Sequence, residues 1–223
     1  MLVWSRRKLG KGVTAMQQNK QMKRCNMSKN IVAISSSLRA KSNSEVLLDS
    51  FVQGAKSAGN DVTVVSLKGK TIKYCIGCLT CPRTGKQAVR GCVACNGCAK
   101  LGKCVLDDDA RAIAELVKNA DVLVFATPIY YYEMSGQLKT LLDRLNPLYG
   151  TDYKFTDVYF LSTAADDAEG TDERAVNGLG GWIECFERSK LCGKVFAGGV
   201  ADGGAIEGHP ALKQAFDMGA SIK

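Results

Sequence analysis

Between residues 31 and 197 the sequence repeats one pattern, a short run of apolar residues followed by a stretch with helical spacing. The apolar runs are 31–34, 62–65, 122–125, 158–161 and 195–197. Runs that are apolar at every position belong to strands buried on both faces, and the intervening helices supply the cover. The pattern therefore predicts an α/β fold with a doubly wound, five-stranded parallel sheet. Leu47, Leu48, Phe51, Val52 and Ala55 share one helical face that ends at Gly59. Asp107, Asp108 and Asp109 offer cap oxygens to a helix carrying Ile113, Leu116 and Val117. Leu138, Leu141, Leu142 and Leu145 recur at i, i+3, i+4 and i+7, and Pro210 opens a last helix that stops near Gly219. Cys185 and Cys192 read as helix-packing residues. His209, the only histidine, reads as part of a helix N-terminus. No Pro/Ser-rich linker interrupts residues 29–222, so they make one domain.

The long excursion is a cysteine-rich loop, residues 72–106, after the second strand. Seven of the ten cysteines lie in it as two copies of C-x2-C-x2-C: Cys75, Cys78, Cys81, then Cys92, Cys95, Cys98, with Cys104 behind the second copy. A disulfide scaffold is excluded, because 223 residues at 46% apolar content can build a core and no secretory signal is visible. No run approaches the roughly 18 apolar residues of a membrane span. A chain in a reducing, cytoplasmic compartment uses clustered thiols for metal or redox chemistry. Four thiolates in short loops can surround an iron–sulfur cluster or a structural zinc.

The net charge of +8 is concentrated at one end. Residues 1–26 hold seven Lys or Arg and no acid, which leaves the rest near neutral and without a nucleic-acid surface. The basic stretch has little that would pack, so disorder is expected. It reads as a non-native extension ahead of Met27, with an organelle presequence as the alternative.

A second chemistry is expected beyond the carboxyl ends of the strands, where such sheets bind ligands at the switch point. The first strand leads into Ser35, Ser36, Ser37, Leu38, Arg39 and on to Ser42, Asn43 and Ser44. Hydroxyls, a guanidinium, an amide and the free N–H groups of a helix start are the donors a phosphate monoester needs. Neither G-x-G-x-x-G nor a Walker A sequence occurs. In the strand order 2-1-3-4-5, the neighbouring loop begins Thr127, Pro128, Ile129 and continues through three tyrosines, Tyr130 to Tyr132, to Met134. Tyrosines at a strand end make walls for a flat aromatic ligand. A phosphate cradle beside an aromatic platform points to flavin mononucleotide (FMN).

These residues carry a family resemblance. The serine loop 35–45, the Thr127–Tyr130 segment leading to Gly136-Gln-Leu-Lys139 and Asp143-Arg144, and the ending Gly208-His-Pro-Ala-Leu-Lys213 resemble the NADPH-dependent FMN reductase branch of the flavodoxin-like family. The cysteine motif followed by three aspartates resembles its iron–sulfur flavoprotein members. The resemblance implies a flavodoxin-like sheet of order 2-1-3-4-5, FMN, and a 4Fe–4S cluster beside it. It implies electron transfer between NAD(P)H, or a ferredoxin-like donor, and small acceptors, in a homodimer or larger assembly. By the same analogy Ser35, Ser37, Arg39, Asn43 and Ser44 hold the phosphate. Thr127, Pro128, Ile129, Tyr130, Tyr131 and Met134 border the ring, with Ser162, Thr163 and Ala164 as a third contact.

The sequence departs from that family pattern by duplicating the cysteine motif with an offset of 17 residues. The expected ligands are Cys92, Cys95, Cys98 and Cys104, which close the shorter loops and lose less chain entropy. Cys75, Cys78 and Cys81 are alternative donors, and Cys75, Cys78, Cys92 and Cys95 also have zinc spacing. Two other functions remain open: an NAD(P)H-dependent FMN or quinone reductase with structural zinc, and a cysteine-based redox or metal sensor.

Overall fold

A computed structural model describes residues 28–78 and 104–223. The expected basic extension lies outside the described residues, as do Cys81, Cys92, Cys95 and Cys98.

The elements follow in chain order. β1 (Asn30–Ser35) leads to α1 (Asn43–Ser57), and β2 (Asp61–Ser66) to α2 (Ala110–Asn119). β3 (Val122–Tyr130) turns into the two-residue β4 (Glu133–Met134), then α3 (Gly136–Arg144). β5 (Asp157–Thr163), α4 (Glu173–Glu184), β6 (Lys190–Ala197) and α5 (Pro210–Ala220) complete the chain. The five long strands pair in parallel in the order β2-β1-β3-β5-β6, with β4 antiparallel to β3. This is the expected flavodoxin-like order, and the cysteine segment leaves the fold between β2 and α2.

Alternation along the strands sorts the core into two faces. Ile31, Ala33, Val122 and Val124 pack under α1 and α5, while Val32, Ile34, Leu123 and Phe125 pack under α2, α3 and α4. The first face is closed by glycine. A Cβ on Gly54 of α1 would stand 2.0 Å from the Phe216 carbonyl oxygen, and one on Gly219 of α5 would stand 2.1 Å from that of Phe51. The two helices therefore touch backbone to backbone, which only glycine permits. Among the described residues, no helix is long and apolar enough to cross a membrane.

The structure corrects several expectations. β3 continues to Tyr130 instead of stopping at Phe125, because it keeps its pairing with β5 through Pro128↔Thr163. β1 ends opposite Ala126, so Pro128 sits where one side of β3 has no partner and its missing N–H is tolerated. β6 begins at Lys190, ahead of the apolar run. Cys192 lies in that strand and Cys185 caps α4; both are exposed and neither packs a helix. Leu116 is 40% exposed on α2. His209 does cap α5, its Nδ1 accepting from the Ala211 N–H.

Candidate functional site

The loop after β1 starts with a side chain that faces away from it. Ser35 Oγ donates to Glu45 Oε1 of α1 at 3.4 Å, and Ser66 Oγ donates to the same oxygen at 3.2 Å. Ser36 donates to the Ala126 carbonyl and accepts from Ser135 Oγ at 2.9 Å, fastening the β1 loop to the start of α3. Ser42 is the N-cap of α1, accepting from the Glu45 N–H, and its hydroxyl pairs with Ser44 at 3.0 Å. Arg39 swings across to the loop after β6, where Nη1 donates to the Ala201 carbonyl at 2.7 Å.

Asn43 ties the same two loops together. Its Nδ2 donates to the Val200 and Asp202 carbonyls at 2.9 and 2.8 Å. Its Oδ1 accepts from the N–H groups of Gly204 and Ile206. The amide is fully engaged, so its contribution to the cleft is to hold the loop. The loop itself lies backbone to backbone on its neighbours: a Cβ on Gly198 would come 2.6 Å from Asp167 Cα.

A cleft opens at the carboxyl edge of the sheet. Ser37, Arg39, Asn43 and Ser44 line one wall, Pro128, Ile129 and Tyr130 a second, and Thr163 and Ala164 a third. Nine predicted residues thus converge. Ser42, from the same serine loop, joins them, and so do Ala165, Val200 and Ala201, to which the sequence did not point. The run Gly198-Gly-Val-Ala-Asp-Gly-Gly204 is the sequence signal for the last two, since glycine pairs mark close backbone approach.

The other five predicted residues stand back from the cleft. Ser35 faces α1, as described. Thr127 is buried, its Oγ1 accepting from the Ser135 N–H at 3.0 Å. Ser162 donates to Asp172 at 3.3 Å, and Met134 is buried in the core below α4. Tyr131 is 97% exposed at the tip of the β3–β4 hairpin. With Tyr130 opposite Glu133, the turn has two central residues, Tyr131 and Tyr132, at φ of +51° and +66°. Two-residue hairpins need such left-handed centres, which suit Asn and Gly far better than tyrosine.

The donor set fits the phosphate end of FMN. At the start of α1 the first-turn N–H groups have no helical acceptor, as at any helix N-terminus. The same helix start lines a cleft that also holds the hydroxyl residues Ser37, Ser42, Ser44 and Thr163 and the exposed Arg39 guanidinium.

On the other side of the β1 loop, Leu38 lines a second cavity of about 330 Å³ with Leu67, Lys70, Ile72, Tyr74 and Gln137. It adjoins the base of the cysteine segment. Cys75 and Cys78 are exposed there, while Cys104 is half-buried. The two stems of the segment are stapled: Asp109 Oδ2 accepts from the Thr71 N–H at 2.7 Å, and Asp108 Oδ2 from the Lys73 N–H at 2.8 Å. The three aspartates therefore do more than cap α2; Asp109, at the N-cap position, makes no side-chain cap bond. Asp108 also pairs with Arg144 at 2.5 Å, both side chains 1% exposed. Burial works against the charged form of each group, yet the partner prevails. Asp108 is held below the usual carboxylate range and Arg144 above its ordinary value.

Among the described residues, no group of three or more His, Cys, Asp or Glu could hold a metal ion. The expected ligands Cys92, Cys95 and Cys98, and the alternative Cys81, lie outside the described residues. Of the four expected ligands, Cys104 alone is among the described residues, and its sulfur accepts from Arg144 Nη2 at 3.5 Å.

Residues 29–186 match the family model of the NADPH-dependent FMN reductases. An iron–sulfur flavoprotein of Archaeoglobus fulgidus is 34% identical over 116 residues, covering 52% of this chain and 45% of that protein. An iron–sulfur flavoprotein of Methanosarcina thermophila is 24% identical over 189 residues, covering 84% and 87%. The chain spans about half the length of the relatives it matches at 29–34% identity. Among solved structures, the NAD(P)H:quinone oxidoreductase of Methanothermobacter marburgensis superposes with a TM-score of 0.63 at 19% identity, covering 88% of this chain and 97% of that one. At that identity the match speaks for the fold.

Proposed function

The chain belongs to the NADPH-dependent FMN reductase family, and on that premise we propose that it is an FMN-dependent oxidoreductase of the iron–sulfur flavoprotein type. It passes electrons from NAD(P)H, or a ferredoxin-like donor, to small acceptors. The observation that carries this reading is the convergence of the Arg39 loop, the end of β3 and the end of β5 on one cleft.

In that cleft Arg39, Ser37, Ser44 and the N–H groups of the first turn of α1 would hold the phosphate. Pro128, Ile129, Tyr130, Thr163 and Ala164 would border the ring. Bound FMN supplies the exchange of an electron pair for single electrons. The chain's own part is to bind and orient, so no side chain in the cleft need move a proton. Lys139 and Asp143 pair with each other at 2.7 Å on the surface of α3 and stay out of the chemistry. Cys92, Cys95, Cys98 and Cys104 would supply thiolates to a 4Fe–4S cluster, with Cys75, Cys78 and Cys81 as alternative donors. A cluster that moves one electron at a time complements a cofactor that accepts two. A homodimer or larger assembly is part of this reading.

The test is the absorption spectrum of the full chain purified without air, before and after NADPH. Broad brown absorption over flavin bands, with the flavin bands bleached by NADPH, is expected. Flavin bands with stoichiometric zinc would favour the reductase with a structural metal. Neither band would favour a cysteine-based sensor.

A further inference from the structure

The cavity beside Leu38, at about 330 Å³, is larger than the cleft, at about 160 Å³, yet the binding of FMN gives it no part. It lies across the β1 loop from the cleft, and every residue that lines it is among the described ones. The chain leaves β2 as Leu67-Lys-Gly-Lys-Thr-Ile-Lys-Tyr74, three lysines and no acid among apolar residues. Leu67 is buried and Ile72 packs against the same core, so together they floor the cavity. Leu38 and Tyr74 stand exposed on its rim. From α3, Gly136, Gln137 and Thr140 lie about one turn apart and close the far side. A Cβ at Gly69 or Gly136 would meet nothing within 4 Å, so neither position is filled by packing.

Lys70 is the one charged residue that lines this space. Its carboxylate neighbour, Asp109 Oδ1, stands 3.6 Å away, with the two side chains 42% and 37% exposed. Such an exposed pair is worth little, and an ammonium has three hydrogens to give, so the charge is available to a ligand. Gln137 and Thr140 spend no side-chain hydrogen bond on another described residue.

Pockets of this size with apolar walls and a few converging polar groups bind small molecules of matching composition. The apolar floor and rim reward a ligand for its apolar area, and Tyr74 offers a ring to an aromatic face. A cation with no acid in the lining selects a negative group. An inorganic anion would leave the apolar walls unused, and a neutral hydrocarbon would cover the ammonium without pairing it. We propose that this cavity is a binding site for a small aromatic anion, a carboxylate or sulfonate, with its ring among Leu38, Leu67, Ile72 and Tyr74 and its charge on Lys70. The site is separate from the cleft and does not depend on what the cleft holds.

The experiment titrates the full chain calorimetrically with 2-naphthoate, without FMN and in saturating FMN. Binding is expected in both, and inorganic phosphate should not compete. Lys70→Ala should weaken 2-naphthoate about tenfold, as loss of a charge-assisted contact does, and leave its neutral counterpart naphthalene-2-carboxamide unchanged. Gly136→Phe, at a position with room for a side chain, should weaken both probes at least tenfold. Displacement of 2-naphthoate by FMN would place the probe in the cleft and overturn the proposal. So would equal affinities in wild type and Lys70→Ala, a variant that gives up only an exposed ion pair, or the absence of binding. The titration without FMN tests the cavity even if the cleft does not hold the cofactor, so the two readings fail separately.

Discussion

The β1 loop has the cleft on one side, through Arg39, and the root of the cysteine segment on the other, through Leu38. Around the cleft most of the joining bonds are between neutral groups: Asn43 binds four backbone groups of the β6 loop, and Ser36 and Ser135 join the β1 loop to α3, with Arg39 adding one bond to the Ala201 carbonyl. The root of the cysteine segment is assembled by charge, with Asp108 and Arg144 at its centre. Neutral bonds keep their strength at any ordinary pH, whereas an ion pair lasts only while both partners are ionised. The cleft is thus joined largely by bonds that are constant with conditions, while beside it the root of the cysteine segment is held by a buried ion pair whose strength depends on charge.

The largest effect that would sharpen this contrast comes from Asp108→Asn. It leaves Arg144 buried without its counter-charge, and breaking one side of such a pair costs about 3 kcal/mol or more. The pH dependence has a definite sign. The folded-state pKa of Asp108 lies below its ordinary 3.8, so the pair contributes fully at pH above that value. The contribution is lost as pH falls through 3.8 toward the folded value. Asp49 acts in the opposite sense: burial, then the nearby Glu45, raise its pKa, so acidification favours its folded form. Denaturant unfolding from pH 6 to pH 3 should show stability falling in wild type and a flatter profile in Asp108→Asn. Parallel profiles would mean that the root is not charge-held.

The same contrast marks where the sequence is legible. The doubly wound parallel sheet can be read because runs such as 31–34 and 122–125 are apolar at every position, whereas its order comes from the family resemblance and not from the pattern. The cleft residues can be read because Ser, Arg and Asn after a strand end gather more anion donors than a helix cap needs. The start of β6 is hidden, since an edge strand alternating between exposed and half-buried residues, Lys190 to Lys194, has no apolar run. Ser35 is misplaced by counting hydroxyls along the loop: strand alternation turns it under α1, toward Glu45. Arg144 is invisible as an anchor, because its partners lie 36 and 71 positions away and no local pattern links them. Long-range charge pairing leaves no periodicity, whereas burial of a strand or helix face does.

A middle-sized effect tests the cleft. Arg39 is exposed and borrows the Ala201 carbonyl, an acceptor it can exchange for a phosphate oxygen. Arg39→Ala should weaken FMN by about 1.5–3 kcal/mol, roughly tenfold to a hundredfold, as loss of one charge-assisted contact does. Riboflavin, which lacks the phosphate, should bind weakly to wild type and equally to the variant. Equal losses for both ligands in a fluorescence titration would remove the phosphate from this wall.

The smallest effect concerns the tyrosine hairpin, where the cleft's edge meets solvent. Tyr130 lines the cleft, but Tyr131 points out of it, 97% exposed on a left-handed backbone. An L-residue in that conformation carries a cost on the order of 1 kcal/mol that glycine avoids, although glycine gives back part of it through a freer unfolded chain. Tyr131→Gly should therefore raise stability by about 0.5 kcal/mol in denaturant unfolding. FMN affinity should be unchanged, whereas Tyr130→Ala should weaken it several-fold by removing an aromatic contact worth roughly 1 kcal/mol. Strain of this kind persists where the surrounding structure imposes it, and such positions cluster at functional sites. A loss of FMN affinity in Tyr131→Gly matching that of Tyr130→Ala would show that the exposed ring folds onto bound flavin. The hairpin would then belong to the cofactor wall along its whole length. A gain in stability with binding untouched would leave the ring free for a contact outside the cleft.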